Sequence, residues 1–388
     1  MSEDLKTYMP GDGITSKSEQ DEEELALTFL RGLQLLATDH FDRPEFTLEQ
    51  KGVGFAPFGN IMAICAEMKN GKTWLMLSLA AALLHGKWGD VVRCDEEKVP
   101  RVLWFDTEQD KYDTMLILRR IHQMGGWDFN TDHPEFQIYN LRDIRFDKRR
   151  EAVMLAIKWL KPDIVFVDGI RDLVQSVNEE QECYELINDM MVATAQYHCS
   201  IWCVLHVNPN SEKMRGHLGT ELGNKVTDVF NVKKEKDKNS GNITFTVEQV
   251  AARHRDVDGW TFMIRDYPKG LRKYSEPVML NQKEVKQVEE NKWQRMHEIM
   301  KKYMPNEVKS YSFTELRNAI KAGESIGTKK AGDLLAEAQE IGVIEKCLNG
   351  KFRLKQKAPE NDMPEEQTDM LFREYYQSPV PPIGGRGR

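Results

Sequence analysis

The chain has 388 residues, of which 40% are hydrophobic, 30% charged and 9% aromatic, and its formal net charge is −8. This composition is that of a globular chain with room for two or three domains, and the acidic total argues against a uniformly basic nucleic-acid binder. No apolar run is long enough to span a bilayer, and the start Met-Ser-Glu-Asp lacks the basic and apolar regions of a secretory signal, so a cytoplasmic protein with no membrane partner is expected.

Residues 1–24 carry eight acids against two lysines, a local charge of −6, and include Pro10-Gly11-Asp12-Gly13. Residues 1–22 are therefore expected to be disordered. From Glu23 to Ala37, Leu25, Leu27, Leu30, Leu33 and Leu36 recur near helical spacing, which predicts an amphipathic helix packed on the core. Apolar strand-like runs then alternate with helical patterns, as in a parallel α/β sheet. Strands are predicted at 60–65, 101–106, 136–140, 163–168 and 200–206. A further group at 228–233, 242–249 and 259–265, with a turn at Asn239-Ser240-Gly241-Asn242, reads as an antiparallel extension of one edge.

The first of these strands leads into Ala66-Glu67-Met68-Lys69-Asn70-Gly71-Lys72-Thr73, and Trp74 to Leu84 follows as a helical pattern. Strand, loop and helix in this order are the context of a P-loop. Backbone N–H groups of Glu67 through Trp74 and the positive helix N-terminus would hold phosphate oxygens of ATP. Lys72 would reach the β and γ phosphates, and the Thr73 hydroxyl would bind Mg²⁺. Ala66 stands where the consensus has its first glycine, and would be strained by about 1–2 kcal/mol if that position needed a left-handed backbone.

Three further parts are needed for hydrolysis. Ile164-Val165-Phe166-Val167-Asp168 is a buried strand ending in an acid, and Asp168 would organise the Mg²⁺ shell. Leu103-Trp104-Phe105-Asp106-Thr107-Glu108 ends in two carboxylates; Glu108 is the candidate base and Asp106 the reserve. Against both stands a simple N-cap role, Asp106 or Thr107 capping a helix that starts near Gln109. His206 ends the strand after Asp168, at the carboxyl edge where open α/β sheets bind ligands, and is the candidate γ-phosphate sensor. The six cysteines are scattered without a Cys-x-x-Cys, which indicates neither a disulfide framework nor a zinc ribbon. The cluster His198, Cys199, Cys203 and His206 is not read as a metal site, because alternate side chains of a strand face opposite sides.

Residues 269–291, with Pro268-Lys269-Gly270 across their start and Lys283 to Asn291 at their end, read as a charged linker. Residues 292–357 form a second unit: a helix from Trp293 to Tyr303, a capped helix opening at Ser312-Phe313-Thr314-Glu315, a third helix from Thr328 to Ile341, and a hairpin turning at Asn349-Gly350. Three helices and a ribbon predict a winged helix-turn-helix. Residues 292–355 carry thirteen Lys/Arg against eight Asp/Glu, a local +5. Lys329 and Lys330 open the third helix, and Lys351 and Arg353 lie on the wing, where they suit phosphate contacts. Asp333, Glu337 and Glu340 on the same helix oppose base readout, and leave a protein-docking role open. Residues 358–388 read as a disordered tail.

Lys72, Glu108, Asp168 and His206, in that order, resemble the RecA-type core of hexameric helicases, the closest pattern being the RepA-like helicase ATPases of plasmids and mobile elements, over residues 45–268. The resemblance implies a RecA-like core with a mainly parallel sheet flanked by helices, here joined to a small C-terminal winged-helix domain. Residues 23–268 would be the ATPase domain. It also implies ATP and Mg²⁺ as cofactors, a homo-hexameric ring, single-stranded DNA as the polymer acted on, and an initiator or primase as companion. Met214 to Thr220, with Arg215 and His217, would be a mobile DNA-facing loop. Arg255, with Arg253, would act as an arginine finger in the neighbouring subunit's site. Two other readings stand beside a ring motor: a nucleotide-switched regulator or clamp, and a recombination mediator that coats DNA as a filament. The chain departs from the family at Ala66, in the composition of 215–225 and in the added winged helix.

Overall fold

The computed structural model describes residues 19–208, 214–236, 243–267, 274–306 and 309–356. The acidic segment 1–18, the turn at 239–242, Pro268-Lys269-Gly270 and the tail 358–388 lie outside the described residues. Two compact units divide the chain, 1–280 and 281–388.

The first unit is built on a nine-stranded sheet. Its central strands are β3 (Ile61–Ala66), β6 (Val102–Asp106), β7 (Phe136–Asn140), β8 (Ile164–Asp168) and β9 (Ser200–His206), all parallel in the order β3-β9-β8-β6-β7. Continuous apolar sequence in β3, β6 and β8 reflects burial on both faces, which parallel sheets require. On the other side of β3 lies β10 (Asp228–Lys236), then β11 (Ile243–Ala252), β12 (Trp260–Arg265) and β13 (Glu276–Met279). β10 is parallel to β3, so the antiparallel extension begins one strand later than predicted.

One face of the sheet is covered by α2 (Lys72–His85) and α3 (Lys111–Gly125), the other by α4 (Phe146–Leu160), α5 (Glu180–Tyr197) and α6 (Gly216–Lys225). α2 is apolar nearly all round because it is enclosed: Leu75 to Leu84 are all buried. A smaller four-stranded sheet joins the hairpin β1 (Phe46–Gln50) and β2 (Val53–Pro57) to β4 (Lys87–Trp88) and β5 (Val91–Arg93). The sequence pattern does not reveal these four strands; they are two to five residues long and carry little periodicity.

α1 (Glu19–Leu33) starts and ends four residues earlier than the predicted helix, leaving 34–37 outside it, and its leucines do not pack on the core. Leu25, Leu27, Leu30, Leu33 and Leu36 are all exposed, because both faces of the sheet are already filled by other helices. The supposed linker 269–291 is another correction. It holds β13, whose residues pair with β12, and the first ten residues of α7 (Gln282–Tyr303), which opens on an Asn281–Glu284 capping box.

The second unit contains α7, α8 (Phe313–Gly323), α9 (Thr328–Glu340) and the ribbon β14 (Ile344–Lys346) and β15 (Phe352–Leu354). Ser312 and Glu315 form the capping box at the start of α8. Trp293, Met296, Met300, Leu316, Ile320 and Leu335 contribute to a separate core under the ribbon.

Candidate nucleotide site

Four adjacent strands deliver the candidate residues to one edge of the sheet, in the spatial order β3, β9, β8, β6. The loop after β3 is shaped by two left-handed residues, Lys69 at φ 61° and Gly71 at φ 89°. A Cβ on Gly71 would also lie 2.4 Å from the Phe245 ring, so that glycine is required twice over. Ala66, by contrast, is the last residue of β3 and has no positive φ. It carries none of the strain considered for it. The left-handed burden falls on Lys69 and Gly71 instead.

Lys72 is buried at the start of α2, and its ammonium donates to the Glu67 carbonyl at 2.9 Å and lies 2.9 Å from His206 Nδ1. Burial lowers its proton affinity, against the pull of Glu108 and Asp168. An ammonium must donate, so Nδ1 of His206 accepts and the imidazole proton sits on Nε2. That nitrogen is 3.9 Å from Glu108 Oε1. Burial and then the Lys72 charge lower the His206 pKa, while a hydrogen bond to the Ala66 backbone opposes them.

Thr73 Oγ1 donates to Asp168 Oδ2 at 2.9 Å. Asp168 is buried, and its pKa is pushed up to about 7 by burial and by the neighbouring Asp106 carboxylate, with the Thr73 hydrogen bond opposing. A buried carboxylate beside a hydroxyl is an oxygen pair that suits a hard cation such as Mg²⁺. Around the loop, Glu67, Met68 and Lys69 are exposed and Asn70 and Trp74 half-buried; the Arg120 guanidinium lies 4.5 Å above the Trp74 ring.

The two carboxylates after β6 separate cleanly. Asp106 has no exposure: Oδ1 accepts from the Glu108 and Gln109 backbone N–H groups, and Oδ2 from the Thr114 hydroxyl at 2.7 Å. Its acceptor positions are spent on holding the turn, so it cannot serve as the reserve base. Nor does Asp106 or Thr107 cap a helix. α3 starts at Lys111, and Asp110 is its cap, accepting from Tyr112 and Asp113 N–H. Glu108 is half-exposed at the same edge as Lys72 and His206. Its pKa is raised by burial and then by Asp172, while Lys72 pulls it down.

One predicted pair, Arg253 and Arg255, is not at this edge. Arg253 and Arg255 follow Ala252, which pairs with Asp228 at the beginning of β10; Asp228 in turn pairs with Met62, near the start of β3. They therefore lie at the end of the sheet opposite the P-loop. Both are exposed, but Arg253 is engaged, donating to the Asn224 and Lys225 carbonyls at the C-terminal end of α6, each at 3.2 Å. Residues 216–225 are helix and not the mobile loop that the resemblance implied. Leu218 and Leu222 are buried, and Gly216 (φ 72°) packs where a Cβ would meet the Val177 carbonyl at 2.7 Å. Arg215 and His217 are exposed at the start of this helix, and Arg215 N donates to the His206 carbonyl.

In the second unit Lys329, Lys330 and Lys351 are exposed. Arg353 is exposed too, but its Nε donates to Glu345 Oε1 at 3.0 Å across the ribbon, so much of its charge is already answered. Thr107, Gly169 and Asp172 brace the turn that carries Glu108, a role that nothing in their spacing along the sequence marks.

The strand, loop and helix of β3 and α2 have the form of a P-loop on a mainly parallel α/β sheet. A family model described as an AAA domain matches residues 32–212, the part of the chain that contains Lys72, Glu108, Asp168 and His206. Among solved structures, a KaiC-like protein from the hyperthermophilic archaeon Pyrococcus horikoshii aligns at 14% identity and a TM-score of 0.42, over 62% of this chain and 99% of its own. No curated protein matches the sequence. Among the described residues no helix is long and apolar enough to cross a membrane, and no group of three or more His, Cys, Asp or Glu could hold a metal ion.

Proposed function

We propose that the protein is an ATP-driven motor that acts on single-stranded DNA as a ring of copies, the hexamer of helicase-type ATPases being the expected form. The observation that carries the hydrolytic part is the convergence of Lys72, Thr73, Asp168, Glu108 and His206 on one sheet edge. In this reading the P-loop amides and Lys72 bind the phosphates of ATP. Thr73 and Asp168 hold Mg²⁺, which when bound spreads the negative charge of the phosphates. Glu108 takes a proton from water as the water oxygen bonds to the γ-phosphorus. The bond from that phosphorus to the β–γ bridging oxygen breaks, and its electron pair leaves with ADP. His206, already against Lys72, is placed to report whether the γ-phosphate is present.

Support for a shared site comes from Arg255. It is exposed at the sheet end opposite its own P-loop, so it could reach only a nucleotide held by another copy. A finger supplied in this way makes turnover depend on assembly. The C-terminal unit, read as a winged helix, would add phosphate contacts through Lys329, Lys330 and Lys351, and a replication initiator or primase is the expected companion.

A second reading, in which ATP switches a regulator that docks on a protein, is favoured by one feature. The ribbon pairs Arg353 with Glu345 and carries a fully exposed Leu348 at its turn. Hydrolysis by the purified protein with and without single-stranded DNA, beside Lys72→Ala, separates the two. Strong stimulation supports the motor, and a slow rate indifferent to DNA supports the switch.

A further inference from the structure

The turn after β6 is braced against the turn after β8 by more than close packing. Thr107 Oγ1 lies within hydrogen-bonding distance of three acceptors: the Asp168 carbonyl at 2.9 Å, the Gly169 carbonyl at 3.1 Å and Asp172 Oδ2 at 3.1 Å. Thr107 N also donates to the Asp168 carbonyl at 3.3 Å. Of the three hydroxyl acceptors only Asp172 is charged, and hydrogen bonds to a charged group are the stronger class. Gly169, at φ 102°, leaves no gap between the turns. A Cβ there would stand 2.4 Å from Thr107 Oγ1 and 3.1 Å from Glu108 Oε1.

Asp172 is itself held in place. It belongs to the short 3-10 turn Ile170–Leu173, whose Ile170 and Leu173 are buried. Arg149 of α4 approaches Oδ2 at 3.8 Å while donating to the Ile144 and Arg142 carbonyls, each at 2.8 Å, and Arg171 approaches Oδ1 at 3.8 Å. The Thr107 and Asp172 side chains engage neither the P-loop nor Thr73, and Thr107 meets Asp168 only at its backbone carbonyl, not at the carboxylate.

We propose that Asp172 is a positioning residue for hydrolysis, which through Thr107 fixes the turn bearing Glu108 and so sets where the base stands over the γ-phosphate. The inference rests on Glu108 being the base. A base displaced by a fraction of an ångström from its water loses rate without loss of substrate binding. The other ionisable groups around Glu108 come from every neighbouring element: Lys72 from the P-loop, His206 from β9, Asp106 from β6 and Asp168 from β8. Asp172 adds a negative charge that raises the proton affinity of Glu108. Removing only that charge should therefore move the acidic limb of the rate profile to lower pH.

The test compares Asp172→Ala, Asp172→Asn, Thr107→Val and Glu108→Gln in steady-state hydrolysis of ATP·Mg²⁺ across pH, with nucleotide affinity measured separately by calorimetry. Asp172→Ala and Thr107→Val are expected to lose about tenfold or more in kcat with affinity kept within about threefold. Asp172→Asn retains an oxygen for the Thr107 hydroxyl, so it should recover most of the plateau rate and show the downward shift of the acidic limb. If Asp172→Ala and Thr107→Val both turn over at the parent rate while Glu108→Gln is inactive, the positioning role is wrong. It is equally wrong if Asp172→Asn is folded by its melting curve yet as slow as Asp172→Ala at every pH. A fully active Glu108→Gln would instead overturn the base assignment, which is a separate failure.

Discussion

The two ends of the central sheet are built to different degrees. At the carboxyl end of β3, β9, β8 and β6, one chain brings together a buried ammonium, a buried carboxylate, a half-exposed carboxylate and an imidazole. At the other end Arg255 stands in solvent, in the segment between β11 and β12, while Arg253, His254 and Val257 on either side of it are tied down. Charges are costly to bury and are found buried only where they are held. A loosely held arginine at the far end of the same sheet is what a second copy would complete. On the ring proposed above, nucleotide binding would be a property of the single chain, whereas fast turnover would belong to the assembly.

The sharpest way to break this comparison is at Arg255. Arg255→Ala should cut kcat about 10³-fold or more and leave nucleotide affinity near that of the parent, as expected when an arginine finger is removed. Lys72→Ala should abolish hydrolysis as well, but by weakening phosphate contacts within its own chain. Mixing the two inactive variants then decides between cis and trans. A mixed assembly contains some sites with a parental Lys72 on one side and a parental Arg255 on the other, so measurable turnover should return. Two inactive proteins that stay inactive when mixed, with assembly confirmed by light scattering, would put the finger elsewhere.

A smaller effect separates the residues within the P-loop end. In the nucleotide-free protein Asp168 has a pKa of about 7, above its unfolded value. Folding thus favours its protonated form, so the stability it lends is present at low pH and is lost as pH rises from the unfolded value through about 7. Melting in the presence of a chelator should therefore fall by a few degrees between about pH 5 and pH 8 relative to Asp168→Asn, which cannot ionise. Equal pH dependence in the two proteins would mean that Asp168 is already charged when the site is empty.

Much of this end was legible in the sequence. Lys72, Thr73, Asp168 and His206 each stand at the boundary of a strong periodic segment, and a parallel sheet carries every such boundary to the same edge. The sequence ranks Glu108 ahead of Asp106 as the base, but does not show why Asp106 is unavailable. Asp106 and Glu108 differ only in that Asp106 is consumed by two amides and the Thr114 hydroxyl, partners that only the three-dimensional turn supplies. The same limit applies to Arg253 and Arg255, where Arg255 is put first by resemblance and only the fold shows that Arg253 is engaged. Arg253→Ala should cost about 1 kcal/mol in chemical denaturation through its lost carbonyl contacts on α6, and should reduce kcat less than Arg255→Ala does. The short strands β1, β2, β4 and β5 escaped because two to five residues give no periodicity to detect. The length of α7 escaped because its charged first half resembles a linker.

The smallest effects distinguish residues on the ribbon of the C-terminal unit, and they follow from a single pairing. Lys351 is exposed with its ammonium in water, whereas Arg353 is bound to Glu345 on the facing strand. A cation that neutralises a phosphate releases a counterion, and for single strands each such contact contributes about 0.7 to the slope of log affinity against log salt. Lys351→Ala should lower the measured slope by about that amount. Arg353→Ala should change it far less, because Arg353 must first give up Glu345 and gains little on exchange. Glu345→Gln is then the informative variant. It frees Arg353, so affinity for single-stranded DNA should rise and the salt slope should steepen by up to about 0.7. If all three substitutions leave DNA binding untouched while the core still hydrolyses ATP, the ribbon does not face nucleic acid. Its exposed Leu348 and paired charges would then point to a protein surface as what the second unit meets.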